Sequence, residues 1–331
     1  MSAEAAIPAT TDEHVGAHDY PEDPRNEGVL VSVNGAMVPR AEASVSVFDS
    51  GFVLGDGVWE GLRVSEGGVL FLDQHLDRLF EGLAALDMPF PLGREGLKDR
   101  LFEALRANGM EDGGHVRLMV TRGRKKTPYQ GPRFTVTDPT VVIIPEYKRP
   151  VPGLFERGLS LFTVHNRRTG PAEQDQKLNS HSKLNCILAC IQADKAGADE
   201  ALMLDPAGFV ATCNSTHFFV VRRGEVWTSP PEYCLGGITR AAVLRACREA
   251  GITATERRFS LTDVYGADEA FCTGTFGGVT PVREVDGRVI GAARPGPVGR
   301  EVTTRVRDLY RSLAARERTQ IPPPPGGVRP A

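Results

Sequence analysis

The chain has 331 residues, of which 41% are hydrophobic and 24% charged, with a formal net charge of -3. That length supports two modest domains with cores of their own, and the composition is that of a globular protein. The charge offers no basic field for nucleic acid and no apolar run approaches a membrane span, so neither is an expected partner. Six cysteines, at 186, 190, 213, 234, 247 and 272, show no CxxC or Cys/His metal spacing, and no charged-then-apolar leader opens the chain. A reducing cytoplasm and no metal are therefore expected. Cys186 and Cys190, four apart on an apolar helix, read as small core residues.

Residues 1–27 are rich in Ala, Pro, Asp and Glu without a period and read as a disordered tail. Residues 29–33 and 36–39 flank Asn34-Gly35, a pair that supplies the positive φ of a tight hairpin. Between Gly51 and Val64, four glycines alternate with Phe52, Trp59 and other large side chains, a spacing that allows close backbone approach. The segment from Phe71 is a helix with Leu76, Leu79, Phe80 and Leu83 on one face and Asp73 as its cap. A second helix runs from Gly96 to Asn108, and strands cover 115–123 and 140–144. Three prolines between Pro145 and Gly153 mark a boundary. A small N-terminal α/β domain is expected over 28–147, a linker over 148–155 and a larger domain over 156–316. The latter holds strands at 159–165, 201–205, 208–210, 217–221 and 269–275, and helices from Leu184, from Gly236 and over 298–313. Residues 317–331, with Pro322–Pro325, read as an extended, disordered tail.

Four separated pieces have the chemistry of one site. Gly236-Gly237-Ile238-Thr239 presents unpaired amides and a hydroxyl at a helix N-terminus, a setting that stabilises phosphate. Thr273-Gly274-Thr275 is a second lip of hydroxyls and amides, and Arg78 is a guanidinium able to grip a phosphate in two places. The stretch Gln174–Asn185 lies between a strand and a helix and carries Lys177 and Lys183, either of which can hold a carbonyl cofactor as a Schiff base.

In this order the pieces resemble the fold-type IV pyridoxal phosphate enzymes, which include branched-chain and D-amino acid aminotransferases and aminodeoxychorismate lyase. The resemblance rests on Asp56–Arg63, His75–Leu79, Val120–Gly123, Ala198–Asp205, Leu235–Arg240, Ala267–Phe271 and Thr273–Val282, and it spans about residues 29–313. It implies a small α/β sandwich domain, a larger α/β barrel-like domain, pyridoxal 5'-phosphate between them and a homodimer. It further implies that Arg78, Gly237, Ile238, Thr239 and Thr275 hold the phosphate. Arg117 would meet a substrate carboxylate, with Trp59, Phe276 and Gly277 on the same substrate side.

The chain departs from that family in two places. Counting back from Gly197 to the position where the family keeps its Schiff-base lysine lands on Asn179 or Leu178. Lys183, one helical turn beyond Asn179 on the same face, is preferred as its replacement, with Lys177 the alternative. Where the family places a glutamate against the pyridine nitrogen, the chain has Thr212, which cannot stabilise a pyridinium as a carboxylate does. The resemblance implies transfer of an amino group between an amino acid or amine and a 2-oxo acid. The alternatives are a lyase of the aminodeoxychorismate type and a phosphate-binding protein without transaminase chemistry.

Overall fold

The computed structural model describes residue 16, residues 18–292 and residues 300–324. β1 (Leu30–Val33) and β2 (Ala36–Pro39) form the expected hairpin, with φ of 54° at Asn34 and 90° at Gly35. They are followed by α1 (Ser50–Leu54), β3 (Gly57–Ser65), β4 (Gly68–Leu70), α2 (Leu72–Ala85), α3 (Gly93–Ala107), β5 (Gly114–Thr121) and β6 (Thr140–Tyr147). The second half runs through α4 (Leu154–Arg157), β7 (Leu159–Arg167), α5 (Leu184–Lys195), β8 (Glu200–Leu204), β9 (Val210–Cys213), β10 (His217–Arg222), β11 (Glu225–Thr228) and α6 (Ile238–Glu249). It ends with β12 (Ala254–Glu256), α7 (Leu261–Tyr265), β13 (Glu269–Gly274), β14 (Gly278–Val285), β15 (Arg288–Val289), α8 (Glu301–Arg316) and β16 (Arg318–Gln320).

Among the described residues, the first sheet has the order β16-β4-β3-β5-β6-β1-β2. The leucines of α2 and α3 cover one of its faces, and Leu76, Leu79, Leu83, Leu97, Leu101 and Leu105 meet Leu62 and Leu118 there. Each fully buried leucine contributes about 1.5–3 kcal/mol, which ties both helices to the sheet. The second sheet has the order β12-β11-β10-β13-β14-β7-β8-β9, with β15 on β14. Alternate residues of β10 face opposite sides, as period-2 geometry requires. Phe219 and Val221 pack under α6 and α8, whereas Phe218 and Val220 join a separate core with Phe259. β9 turns back toward β10, where the Cys213 amide donates to the Thr216 carbonyl at 3.0 Å.

The connection from β7 to α5 stitches the halves together. The Trp59 amide donates to the Asn179 carbonyl and the His181 amide to the Gly57 carbonyl, each at 3.0 Å. These bonds lay the Gln174–Lys183 segment along β3, the strand that carries the first half's site residues.

Several expectations are corrected. Asp73 does not cap α2; Phe71 occupies that position with φ 52° and no side-chain cap bond, and Asp73 sits in the first turn, where it accepts from Arg94. Gly208 lies in a turn, so the short strand begins at Val210. β6 continues through Pro145 to Tyr147, on the side of the boundary segment expected for the first domain. Residues 318–320, expected within a tail, pair with β4, because that edge strand's main-chain groups need partners; residues 325–331 lie outside the described residues. Part of the N-terminal tail is also built in: Pro24–Gly28 forms a 3-10 turn, and Asn26 exchanges bonds of 2.8 and 3.0 Å with the Tyr147 main chain. Residues 1–15 and 17 lie outside the described residues. On α5 the small Ala189 and Ala193 pack inward against Val164 and Ala201, while Leu184, Ile187, Leu188 and Ile191 are between 44% and 67% exposed.

Candidate active site

A cavity of about 150 Å³ lies where the two halves meet. β3 brings Trp59 and Gly61 to it, α2 brings Arg78, β5 brings His115 and Arg117, and the start of α6 brings Gly237, Ile238 and Thr239. The end of β13 and the turn after it contribute Thr273, Gly274, Thr275 and Phe276. Eight of the residues expected in the site (Trp59, Arg78, Arg117, Gly237, Ile238, Thr239, Thr275 and Phe276) thus share one cavity.

The anion cup is built from groups held in place before any ligand arrives. The Arg78 Nε and Nη2 donate to both oxygens of Glu60, at 2.8 and 2.6 Å, and Nη1 donates to the Gly236 carbonyl at 2.7 Å. Glu60 is fully buried and also meets His75 Nδ1 at 2.6 Å. Burial by itself would raise its carboxyl, but Arg78 and His75 outweigh it and hold Glu60 below the ordinary glutamate range. Gly237 caps α6, and the His217 ring lies against it so closely that a Cβ there would come within 2.3 Å of the imidazole. Burial pushes His217 down to about 3, so the neutral ring donates from Nε2 to the Leu235 carbonyl at 2.8 Å. Across from the helix start, Thr273 Oγ1 is buried at the cavity without a hydrogen-bond partner. Helix amides and a guanidinium lining one cavity, beside a buried hydroxyl without a partner among the described residues, fit a phosphate group.

The opposite side of the cavity is cationic and aromatic. The Arg117 guanidinium lies 3.8 Å over the Trp59 ring and takes part in no ion pair among the described residues; burial lowers its pKa. Phe276 is stacked by His18 and met edge-on by His115, and the Lys148 Nζ lies 4.8 Å from its centroid. Burial first, then Lys148 and Arg117, push His18 to about 4 and His115 to about 3, so both are neutral near pH 7.

Of the two candidate lysines, Lys177 is exposed. Lys183 packs behind the cavity wall, its Nζ donating to Asn179 Oδ1 at 3.1 Å and lying 5.3 Å from the Trp59 ring centroid. Burial lowers it to about 8, opposed by the Cys186 thiol and assisted by Arg168, Arg78 and Arg117. Cys186, read from the sequence as core, is half-buried and accepts from Arg168 at 3.0 Å. Thr212 is buried on β9 and does not line the cavity; its hydroxyl is committed to the Thr216 carbonyl at 2.9 Å. Gly277 sits in the turn after Phe276 and does not line the cavity either.

The sequence reading missed Glu60, His115, Lys148, Asn179 and His18 as site residues. His115 had a signal, since it sits two residues from Arg117 on one strand and therefore on the same face. His18 had none, because it reaches Phe276 across a long stretch of chain.

Comparison with known proteins agrees with this geometry. The family model for amino-transferase class IV matches residues 57–285. The chain is 41% identical over 299 residues to branched-chain-amino-acid aminotransferase-like protein 2 of Arabidopsis thaliana, an alignment covering 90% of this chain and 53% of that protein. It therefore spans about half the length of that relative. It is 34% identical over 290 residues to the branched-chain-amino-acid aminotransferase of Pseudomonas aeruginosa, covering 85% and 92% of the two chains. In structure it is similar to the branched-chain amino acid aminotransferase of T.th. complexed with N-(5'-phosphopyridoxyl)-L-glutamate. That match has a TM-score of 0.79 and 30% identity, and it covers 89% of this chain and 99% of the other. The fold is accordingly that of fold-type IV enzymes, and the chain belongs to the class IV aminotransferase family.

Proposed function

We propose that the protein is a pyridoxal 5'-phosphate-dependent aminotransferase that moves an amino group between an amino acid or amine and a 2-oxo acid. The observation that carries this reading is an anion cup in a cavity also lined by Asn179, whose Oδ1 accepts from the half-buried Lys183 amine at 3.1 Å behind the wall. Arg78, the amides of Ile238 and Thr239, and the hydroxyls of Thr273 and Thr275 would hold the phosphate, with the Gly237 amide fixing the turn by donating to the Leu235 carbonyl at 2.8 Å. When bound, the cofactor supplies an aldehyde that takes up amines and a ring that withdraws electrons from the substrate's α-carbon. Lys183 would hold the cofactor's aldehyde through its Nζ, and the same amine would take a proton from the substrate's α-carbon and return it as general acid. Arg117, whose guanidinium forms no ion pair among the described residues, is offered to a substrate carboxylate, and Trp59 and Phe276 shape the space beside it.

The purified chain should carry a visible absorbance band that borohydride abolishes and that shifts when an amino donor is added. A screen of donors and 2-oxo acid acceptors identifies the substrate pair; a band indifferent to every donor would sink the aminotransferase reading. One observation favours a second reading. Thr212 is committed to Thr216, so no carboxylate reaches the ring nitrogen from that position, which favours chemistry less demanding of an electron sink, such as a lyase reaction. Product analysis distinguishes the two, because a lyase releases product without an acceptor.

A homodimer in the cytoplasm is the assembly we propose. No helix among the described residues is long and apolar enough to cross a membrane, and the six cysteines are unpaired. The exposed Leu184, Ile187, Leu188 and Ile191 of α5 begin where Ser182 abuts Gly55, beside exposed Phe52 and Leu54 of α1. Such a contiguous apolar patch suits an isologous contact. Replacing Ile187 and Leu188 together with Asp should convert a dimer to a monomer in sedimentation at micromolar concentration; a wild-type chain that sediments as an active monomer would count against the assembly.

A further inference from the structure

We propose that Asn179 is the positioning residue for Lys183, its Oδ1 holding the Nζ just behind the cavity wall as an uncharged acceptor while its Nδ2 and main chain stay locked to Trp59. The inference rests on the reading of Lys183 as the reactive amine and adds the device that aims it. Asn179 is nearly fully buried and lines the cavity itself. Its carbonyl accepts from the Trp59 amide at 3.0 Å and its Nδ2 donates to the Trp59 carbonyl at 2.5 Å, so β3 grips both its main chain and its side chain. Because Nδ2 is spent on a carbonyl, the amide's orientation is determined, and Oδ1 is the end left for the amine 3.1 Å away.

The choice of an amide over a carboxylate has a chemical consequence. An aspartate in this place would also accept from Lys183, but its charge would keep the amine protonated. The groups facing Nζ are Arg168 after β7, Arg78 on α2, Arg117 on β5, His181 in the preceding loop and Cys186 on α5. No carboxylate forms an ion pair with Lys183 among the described residues. A neutral acceptor therefore orients the amine without opposing the burial and the arginines that favour its uncharged form.

The test reads Lys183 directly, by acetic anhydride acylation across pH with peptide mapping, on the full chain freed of cofactor, using exposed Lys177 as internal reference. Wild type should show a midpoint of about 8 at Lys183. Asn179→Asp should move that midpoint up by about 1–3 pH units. Asn179→Ala should leave the midpoint close to wild type but lower kcat by about 10²-fold, with KM changed far less, because the amine is no longer aimed. An unmoved midpoint in Asn179→Asp, or an undiminished kcat in Asn179→Ala, would overturn the proposal. So would an equal upward shift in both variants, which marks an opened pocket. A wild-type chain that transfers no amine yet shows the Asp-specific shift would overturn the aminotransferase reading alone and support the coupling of Asn179 to Lys183.

Discussion

Lys183→Ala should reduce amine transfer by about 10³-fold or more and leave no borohydride-stable phosphopyridoxyl adduct on the α5 peptide, while Lys177→Ala should retain both. The expectation rests on environment. A lysine with a pKa of about 8 has roughly a tenth of its population uncharged at pH 7, whereas an ordinary lysine has less than about a thousandth. Lys183 owes that shift to burial beside Arg168, Arg78 and Arg117, and it faces the cavity wall through Asn179. Lys177 is exposed. The reaction should accordingly gain rate from pH 7 toward about 8.5 as the free chain's amine loses its proton. Peptide mapping after borohydride decides the assignment: an adduct on Lys177 would overturn it, and an adduct on neither lysine would overturn the enzyme reading with it.

Arg78→Ala should strip the chain of cofactor and weaken the fold together. The guanidinium holds both oxygens of a fully buried carboxylate and the carbonyl that precedes the α6 start, so it joins α2 and β3 of the first half to the phosphate cup of the second. Removing one partner of a buried pair costs about 3–5 kcal/mol, because Glu60 is left charged beside His75 without its guanidinium. The effect should depend on pH. Glu60 is held below the ordinary glutamate range in the folded chain, so its pairing contributes stability fully present above the unfolded glutamate's pKa and lost as pH falls through the folded value. The variant's deficit should therefore be largest near neutrality and shrink on acidification below the ordinary glutamate range. Urea titrations of both chains at pH 7 and about pH 3, with cofactor retention at pH 7 measured after gel filtration, check this; equal cofactor retention would remove Arg78 from the site.

Local chemistry sufficed to read much of this protein from its sequence. The Asn34-Gly35 hairpin, the leucine faces of α2 and α3 and the glycine-led start of α6 each depend on residues close in sequence, where turn φ preferences and helical periodicity act directly. Gly237, Ile238, Thr239 and Thr275 could be singled out as anion-cup candidates for the same reason, since a helix N-terminus and a hydroxyl lip advertise anion chemistry wherever they occur, and the fold brings them to one cavity with Arg78. Tertiary structure alone decided which groups share a space. Glu60 became a carboxylate clamp only when β3 passed under α2, and His18 became a cavity residue only when the N-terminal segment crossed to Phe276. The apolar residues of α5 show the limit of periodicity: the pattern predicts a helix, but the inward face is alanine because β7 and β8 lie close, and the leucines and isoleucines point away. The choice between Lys183 and Lys177 was likewise open in the sequence, because both are lysines in one polar stretch. Burial separates them, and burial is a property of the whole packed chain: only the pairing of residues 179–181 with β3 turns one amine inward and leaves the other in water.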